Sequence, residues 1–225
     1  MTYLQNRSIL DKELTQMREN ILRLASLVDT AIEKAMSALE ARNTLLAQEV
    51  LDGDDVINAL RFEIEKEALR TLATQQPAAI DLRTTIVGMH LATELERIGD
   101  HAAGIAGLVA RMEEEDEIKS LHKLPKMTNR ARKMLNQGIQ AFVENDVELA
   151  HAVFQREDKL DRHYQSLVQI LIDAMQDDAY IRRATFLLWI GHNVERIGDR
   201  ATNIAERVIF MATGQMIEIA DTLDE

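Results

Sequence analysis

The chain has 225 residues, with 26 Lys and Arg against 38 Asp and Glu, for a net charge of -12. That is the wrong sign for neutralising phosphate backbones, so nucleic acid is excluded as an expected partner. Apolar runs such as Phe186 to Ile190 fall far short of the roughly 20 residues that span a bilayer, which excludes membrane insertion. The opening MTYLQNRSILDKEL has no apolar stretch of signal-peptide length, and there is no cysteine; a cytoplasmic address is expected.

Two prolines, nine glycines and few aromatics, in a chain rich in Ala, Leu, Glu and Arg, predict long helices rather than sheet. Leu10, Leu14, Met17, Ile21, Leu24, Val28, Ala31 and Ala35 alternate steps of four and three, the seam of a helix in a bundle. The first helix is expected from Ser8 to Arg42 and the second from Thr44 to Thr74. The third should run from Pro77, a first-turn residue, to Met112. The acidic run Glu113 to Glu117, with Pro125 beyond it, marks a solvated linker. Three more helices follow, from Pro125 to Glu144, Asp146 to Met175 and Ala179 to Thr213, before a short acidic tail.

The second three helices repeat the first three. ALEARNTLLAQEVLDGDDVIN from Ala38 lies on AFVENDVELAHAVFQREDKLD from Ala141, an offset of 103, with Leu46 on Leu149, Ala47 on Ala150, Val50 on Val153 and Asp55 on Asp158. The third helices match at an offset of 99, Glu96 on Glu195. The expected fold is all-α, a tandem duplication of two antiparallel three-helix bundles built from six long helices. The repeats fall at 1–115 and 116–225.

Each third helix carries Glu-Arg-Ile-Gly-Asp, in ELERIGDHAAGIAGLV and in NVERIGDRATNIAERV. Glu96 and Asp100, like Glu195 and Asp199, share a helix face at i, i+4, where like charges cost roughly 0.2 to 0.5 kcal/mol. Gly99 and Gly198 each add a cost on the order of 1 kcal/mol relative to Ala. Local helix physics does not favour this pentapeptide. A mid-helix glycine fits a close approach by another backbone or a ligand, and a carboxylate pair fits a cation held between its members.

The neighbouring helices supply matching oxygens. In an antiparallel hairpin, residues equidistant from the turn are level. Asp54 and Asn58 lie as far before Pro77 as Asp100 and Glu96 lie beyond it, and Glu157 and Asp161 stand in the same relation to Asp199 and Glu195 about residue 178. Two i, i+4 oxygen pairs can thus face one another in each repeat. Such oxygen-only clusters suit Mg, Ca, Mn or ferric iron better than copper or closed tetrahedral zinc. His101 and Asn203 are candidate additional or supporting ligands. The competing reading is an ordinary salt-bridge network with Arg97 and Arg196 on solvated faces.

Other candidates are weaker. Glu148 to His151 has the Glu-x-x-His spacing of di-iron bundles, but those need two such motifs, and Gln48 replaces the histidine in the first repeat. Met175 to Met211 around Phe186 and Trp189 reads as core, and His90 and His192 read as structural. There is no glycine-rich phosphate loop, nucleophile elbow or cysteine nucleophile, so an enzyme is not indicated.

The two motifs, with LLAQEVLDGDDVINAL and ELAHAVFQREDKLDRHY upstream of them, closely resemble the twin signatures of the PhoU family of bacterial phosphate-signalling regulators. The resemblance spans Leu10 to Ile209. It implies a tandem pair of three-helix bundles, usually dimeric and cytoplasmic, recruited to the inner face of the membrane through partners. It also implies negative regulation of the phosphate-starvation response, by contact with the sensor histidine kinase and with the ATPase of the phosphate-specific ABC transporter. Some members bind multinuclear metal clusters through Glu/Asp-x-x-x-Asp pairs, which fall here on Glu96 and Asp100, Glu195 and Asp199, Asp54 and Asn58, and Glu157 and Asp161. The ion could be Fe, Mn, Mg, Ca or Zn. Gly104 departs from the motif, which has Asn at that place as in Asn203, and Asn58 is less anionic than Asp161, so the first site should be the weaker. Two alternatives stay open: a metal-carboxylate oxidase or hydrolase, and a metal-free structural bundle.

Overall fold

The computed structural model describes residues 3–112, 121 and 123–216. Six helices, α1 (Tyr3–Ala41), α2 (Thr44–Gln75), α3 (Ala79–Arg111), α4 (Leu124–Glu144), α5 (Val147–Ala174) and α6 (Ile181–Thr213), account for nearly all of them, with a 3-10 turn at Asp178–Tyr180 and no strand among the described residues. α1, α2 and α3 pack on one another, α4, α5 and α6 do the same, and the two bundles join where α3 lies along α6 and α1 meets α4. This is the expected tandem of three-helix bundles.

The repeat extends to the turns. Asn43 accepts a hydrogen bond from the Leu46 backbone N–H at the start of α2, and Asp146, 103 positions on, accepts one from Leu149 at the start of α5. Each cap follows a left-handed residue, Arg42 or Asn145. Each cap's own backbone N–H returns to a buried alanine carbonyl, of Ala38 or Ala141. Side-chain caps of this kind contribute roughly 1 kcal/mol each.

The predicted α1 seam is the core stripe: Ile21, Leu24, Val28 and Ala35 are wholly buried, and Leu124, Met127 and Ala131 occupy the equivalent places on α4. Fully burying the Ile, Leu, Val and Met side chains among them contributes about 1.5 to 3 kcal/mol each. Arg132 ties the bundles together from outside the core, gripping both oxygens of Asp29 at 2.9 and 2.8 Å and reaching Glu33 at 3.1 Å.

Three expectations are corrected. Pro77 precedes α3 rather than opening it: Gln76 and Ala79 take left-handed backbone on either side, and the helix starts only after Ala78. A residue before proline is steered away from right-handed helix, so α2 ends there. α6 begins at Ile181, not Ala179, because the 3-10 turn occupies the preceding residues. Trp189 is 44% exposed, whereas Phe186 and Met211 are buried as expected. The Trp189 ring is edge-on to Phe186, with the Arg111 guanidinium 5.7 Å from its centre. The linker expected over Glu113 to Glu117 lies outside the described residues. No helix among the described residues is long and apolar enough to cross a membrane.

Candidate functional site

Gly99 and Gly198 set the spacing of the acidic faces. A Cβ added at Gly99 would lie 3.2 Å from two atoms of Ile57, and 3.8 Å from Oδ1 of Asp54; one at Gly198 would come within 2.2 Å of Leu160. Ile57 and Leu160 are the same position of the repeat, both buried. The close approach expected at each glycine is therefore made by a buried side chain of the neighbouring helix, not by backbone or ligand. It brings the α2 acids onto α3, and the α5 acids onto α6.

In the first repeat Asp54 is raised above the usual carboxylate range by burial and then by Asp100, while the Asn58 amide, donating to its Oδ2 at 2.9 Å, works against this. Burial and Asp100 also raise Glu96, with Arg61 and Arg97 opposing and Asp54 adding. The four predicted residues are thus neighbours across the helix pair. Oδ1 of Asp54 is buried with no hydrogen-bond partner.

The second repeat concentrates the same effects. Glu157 is pushed up to about 7 by burial, with Asp161, Asp199 and Glu206 adding and the Thr202 hydroxyl pulling the other way. Glu195 is also pushed up to about 7, by burial and then Asp199, with Arg196 opposing and Asp161 adding. Burial raises Asp199 against the pull of Arg196, Arg200 and His101. Arg196 is the local counter-cation, 3.4 Å from Glu195 and 3.0 Å from Asp199. Oε2 of Glu195 is buried without a hydrogen-bond donor, its ion-pair contacts to Arg196 and His192 being longer. The salt-bridge reading thus holds for Arg196, whereas Arg97 sits 3.8 Å from Glu94 instead.

Oxygen donors on facing helices, two of them buried atoms without a hydrogen bond, suit a hard cation by chemistry. By position they are less complete. Among the described residues no three His, Asp or Glu side chains are grouped to hold one ion, and Asn58 engages Asp54 while Arg196 engages Glu195 and Asp199.

His101 and Asn203 spend their hydrogen bonds on the other bundle, although His101 lies near enough to act on Asp199. His101 Nδ1 is 3.0 Å from Oδ1 of Asn193, and Asn203 donates to Glu94 at 3.1 Å, beside Arg200 at 3.4 Å. Glu94 and Asn193 are equivalent positions of the third helices, as are His101 and Arg200, and Gly104 and Asn203. A Cβ at Gly104 would stand 3.1 Å from Asn193 Oδ1, so Gly104 leaves room for Asn193 just where Asn203 meets Glu94. The two contacts are related by a pseudo-twofold axis, and the residues flanking the pentapeptide hold the bundles together. Glu94 and Asn193 were missed in the sequence, although their shared offset of 99 is visible there. Glu148 and His151 are exposed on the surface, with the His151 ring edge-on to Phe154.

A family model described as the PhoU domain matches residues 21–109 and 124–208, one match per repeat. A phosphate-specific transport system accessory protein PhoU homolog of Clostridium acetobutylicum is 32% identical over 217 residues, covering 96% of this chain and 99% of that one. The homolog of Pseudomonas aeruginosa is 35% identical over 204 residues, covering 90% and 84%. Among solved structures, PhoU from Pseudomonas aeruginosa superposes with a TM-score of 0.87 at 35% identity, over 91% of this chain and 99% of that one. The phosphate transport system regulatory protein PhoU from Streptococcus pneumoniae gives 0.87 at 31%, over 93% and 100%. Matched in both repeats, along nearly its whole length and in fold, the chain belongs to the PhoU family.

Proposed function

We propose that this protein is an accessory regulator of phosphate uptake that restrains the phosphate-starvation response by docking rather than by catalysis. Its partners in this reading are the ATPase subunit of the phosphate ABC transporter and the sensor histidine kinase, and it works as a homodimer at the inner face of the membrane. The observation that carries the reading is the match of both repeats to relatives named as accessory proteins of phosphate-specific transport, over most of each chain.

The acidic faces are proposed to hold metal, Fe, Mn, Mg, Ca or Zn, on Glu96, Asp100, Asp54 and Asn58 in the first repeat and on Glu195, Asp199, Glu157 and Asp161 in the second. A bound cation would supply the positive charge that these desolvated carboxylates lack. Arg196 supplies part of it now and is the group an ion would replace. With Asn58 already donating to Asp54, the first repeat is the weaker site.

Metal analysis of protein purified without chelator or metal-binding tag, comparing wild type with Glu195→Ala/Asp199→Ala, tests the site. Near-stoichiometric metal that falls to about half or less in the double variant supports it. Absence of metal from both proteins after loading with each of the five ions removes it, and leaves the docking role to be tested by capture of the purified transporter ATPase. Oxygen uptake on adding ferrous iron would instead favour an oxidase.

A further inference from the structure

The two repeats share a core register but not a surface. From Lys123 to Val143 the chain has five basic residues and no acid, whereas the equivalent stretch of α1, Asn20 to Glu40, has two bases and three acids. One of the five, Arg132, is spent on Asp29 and Glu33 of α1. The others, Lys123, Lys126, Arg130 and Lys133, form no ion pair with any described residue. Lys123 donates to the Ser166 hydroxyl at 2.6 Å, which fixes the level of α4 against α5. In that antiparallel register Lys126 comes level with His163 and Arg130 with Lys159, extending one basic stripe across both helices for roughly 15 Å at 1.5 Å per residue.

α5 divides its charges between its two neighbours. Glu157 and Asp161 lie toward α6, where each acts on the acids there. His163 lies among cations, with Lys126, Arg130, Lys123 and Arg162 all close enough to act on its ring. Asp158, exposed one helical turn before Arg162, makes no ion pair with these cations. In the first repeat Lys126 falls on Arg23, but Arg130, Lys133, Lys159, Arg162 and His163 fall on Leu27, Thr30, Val56, Ala59 and Leu60, so the stripe is not a consequence of the fold.

We propose that the α4–α5 face is a docking surface for an anionic phospholipid bilayer. Lys126, Lys133, Lys159 and Arg162 are exposed, on a face of two adjacent helices that offers charge and little else. The large exposed apolar residues of these helices, Val143 and Ile172, lie beyond the stripe, so it lacks the buried anchor by which protein partners are held. Clustered Lys and Arg need no anchor to bind an anionic leaflet, since each contributes independently near the surface. Repulsion from the rest of the -12 chain is screened beyond about 8 Å at physiological salt, whereas the stripe lies within contact. This inference stands on the α4–α5 face alone and does not depend on metal at the acidic faces or on any protein partner.

The test is flotation of the full chain with phosphatidylcholine vesicles and with vesicles of three parts phosphatidylcholine to one part phosphatidylglycerol, at low and at about 0.15 M salt. Wild type should bind the anionic vesicles at least about tenfold more tightly than the neutral ones, and less tightly as salt rises. The charge reversal K126E/K133E/K159E/R162E, at exposed positions, should lose about tenfold or more while keeping its helical circular dichroism, and K126Q/R162Q should fall between. Equal binding to both vesicles, or unchanged binding by both variants, overturns the proposal. Binding of a soluble poly-glutamate peptide to the stripe without binding of vesicles also overturns it, in favour of an acidic protein partner.

Discussion

Glu157 and Glu195 sit on facing helices of the second repeat, each pushed up to about 7 from an ordinary 4.5, burial being the first cause. Between those two values the folded protein keeps protons that the unfolded chain has released. Stability from these groups is therefore complete below about pH 4.5, declines as pH rises, and is lost above about 7. In metal-free protein, the midpoint of thermal unfolding should fall as pH rises from 5 to 7. Glu157→Gln/Glu195→Gln, which imitates the protonated pair, should remove much of that slope. His90 and His101 carry the opposite sign, since burial lowers both, so the quantity to measure is the difference between the wild-type and variant slopes. A difference of zero would show that the two carboxyls are solvated. Any cation that binds must displace these protons, so uptake of metal should strengthen through the same range of pH.

At the scale of helices, the spacing of each hairpin is set by a glycine opposed to Ile57 or Leu160. Gly198→Ala puts a methyl where Leu160, 1% exposed, already stands. Overpacking of this kind costs about 1 to 3 kcal/mol, against roughly 1 kcal/mol gained in helix propensity. Urea unfolding should show Gly198→Ala as destabilising by about 1 kcal/mol and Gly99→Ala, where the contact is 3.2 Å, as near neutral. Adding Leu160→Val should recover part of the loss, and failure to do so would place the strain elsewhere. The helices and the duplicated register were legible in the sequence because periodicity and an offset of 103 leave little freedom, whereas the caps Asn43 and Asp146 emerged only with the turns in place. The facing of two oxygen-bearing residues by two in each repeat was legible too, through equal distances from the turn. The reason for the glycines was not, because which side chain enters a gap depends on how the helices roll against each other. Nor could the sequence reveal that His101 and Asn203 bond across to the other bundle, since i, i+4 spacing fixes a face without saying what it meets.

Across the whole molecule, the bundles share the α3/α6 interface, the grip of Arg132 on α1 and the bond from Arg83 Nε to the Met211 carbonyl at 2.9 Å. The chain has a single Trp, in α6, so its fluorescence reports the second repeat while far-ultraviolet circular dichroism reports both. The two probes should give coincident urea transitions if the interface couples the repeats as tightly as these contacts imply. A fluorescence transition displaced from the dichroism curve would show that the bundles unfold separately.

The pseudo-twofold contacts also bear on the order in which the molecule can be made. Glu94 leaves the ribosome 106 residues ahead of Arg200 and 109 ahead of Asn203, so during synthesis its carboxylate faces water until the last helix arrives. A nascent first bundle that met another copy of itself would set Glu94 against His101 and Gly104, without the guanidinium and amide it meets in the finished chain. The partners that Glu94 meets on α6 are thus absent from α3 itself, so the contact is specific to the pairing of unlike repeats.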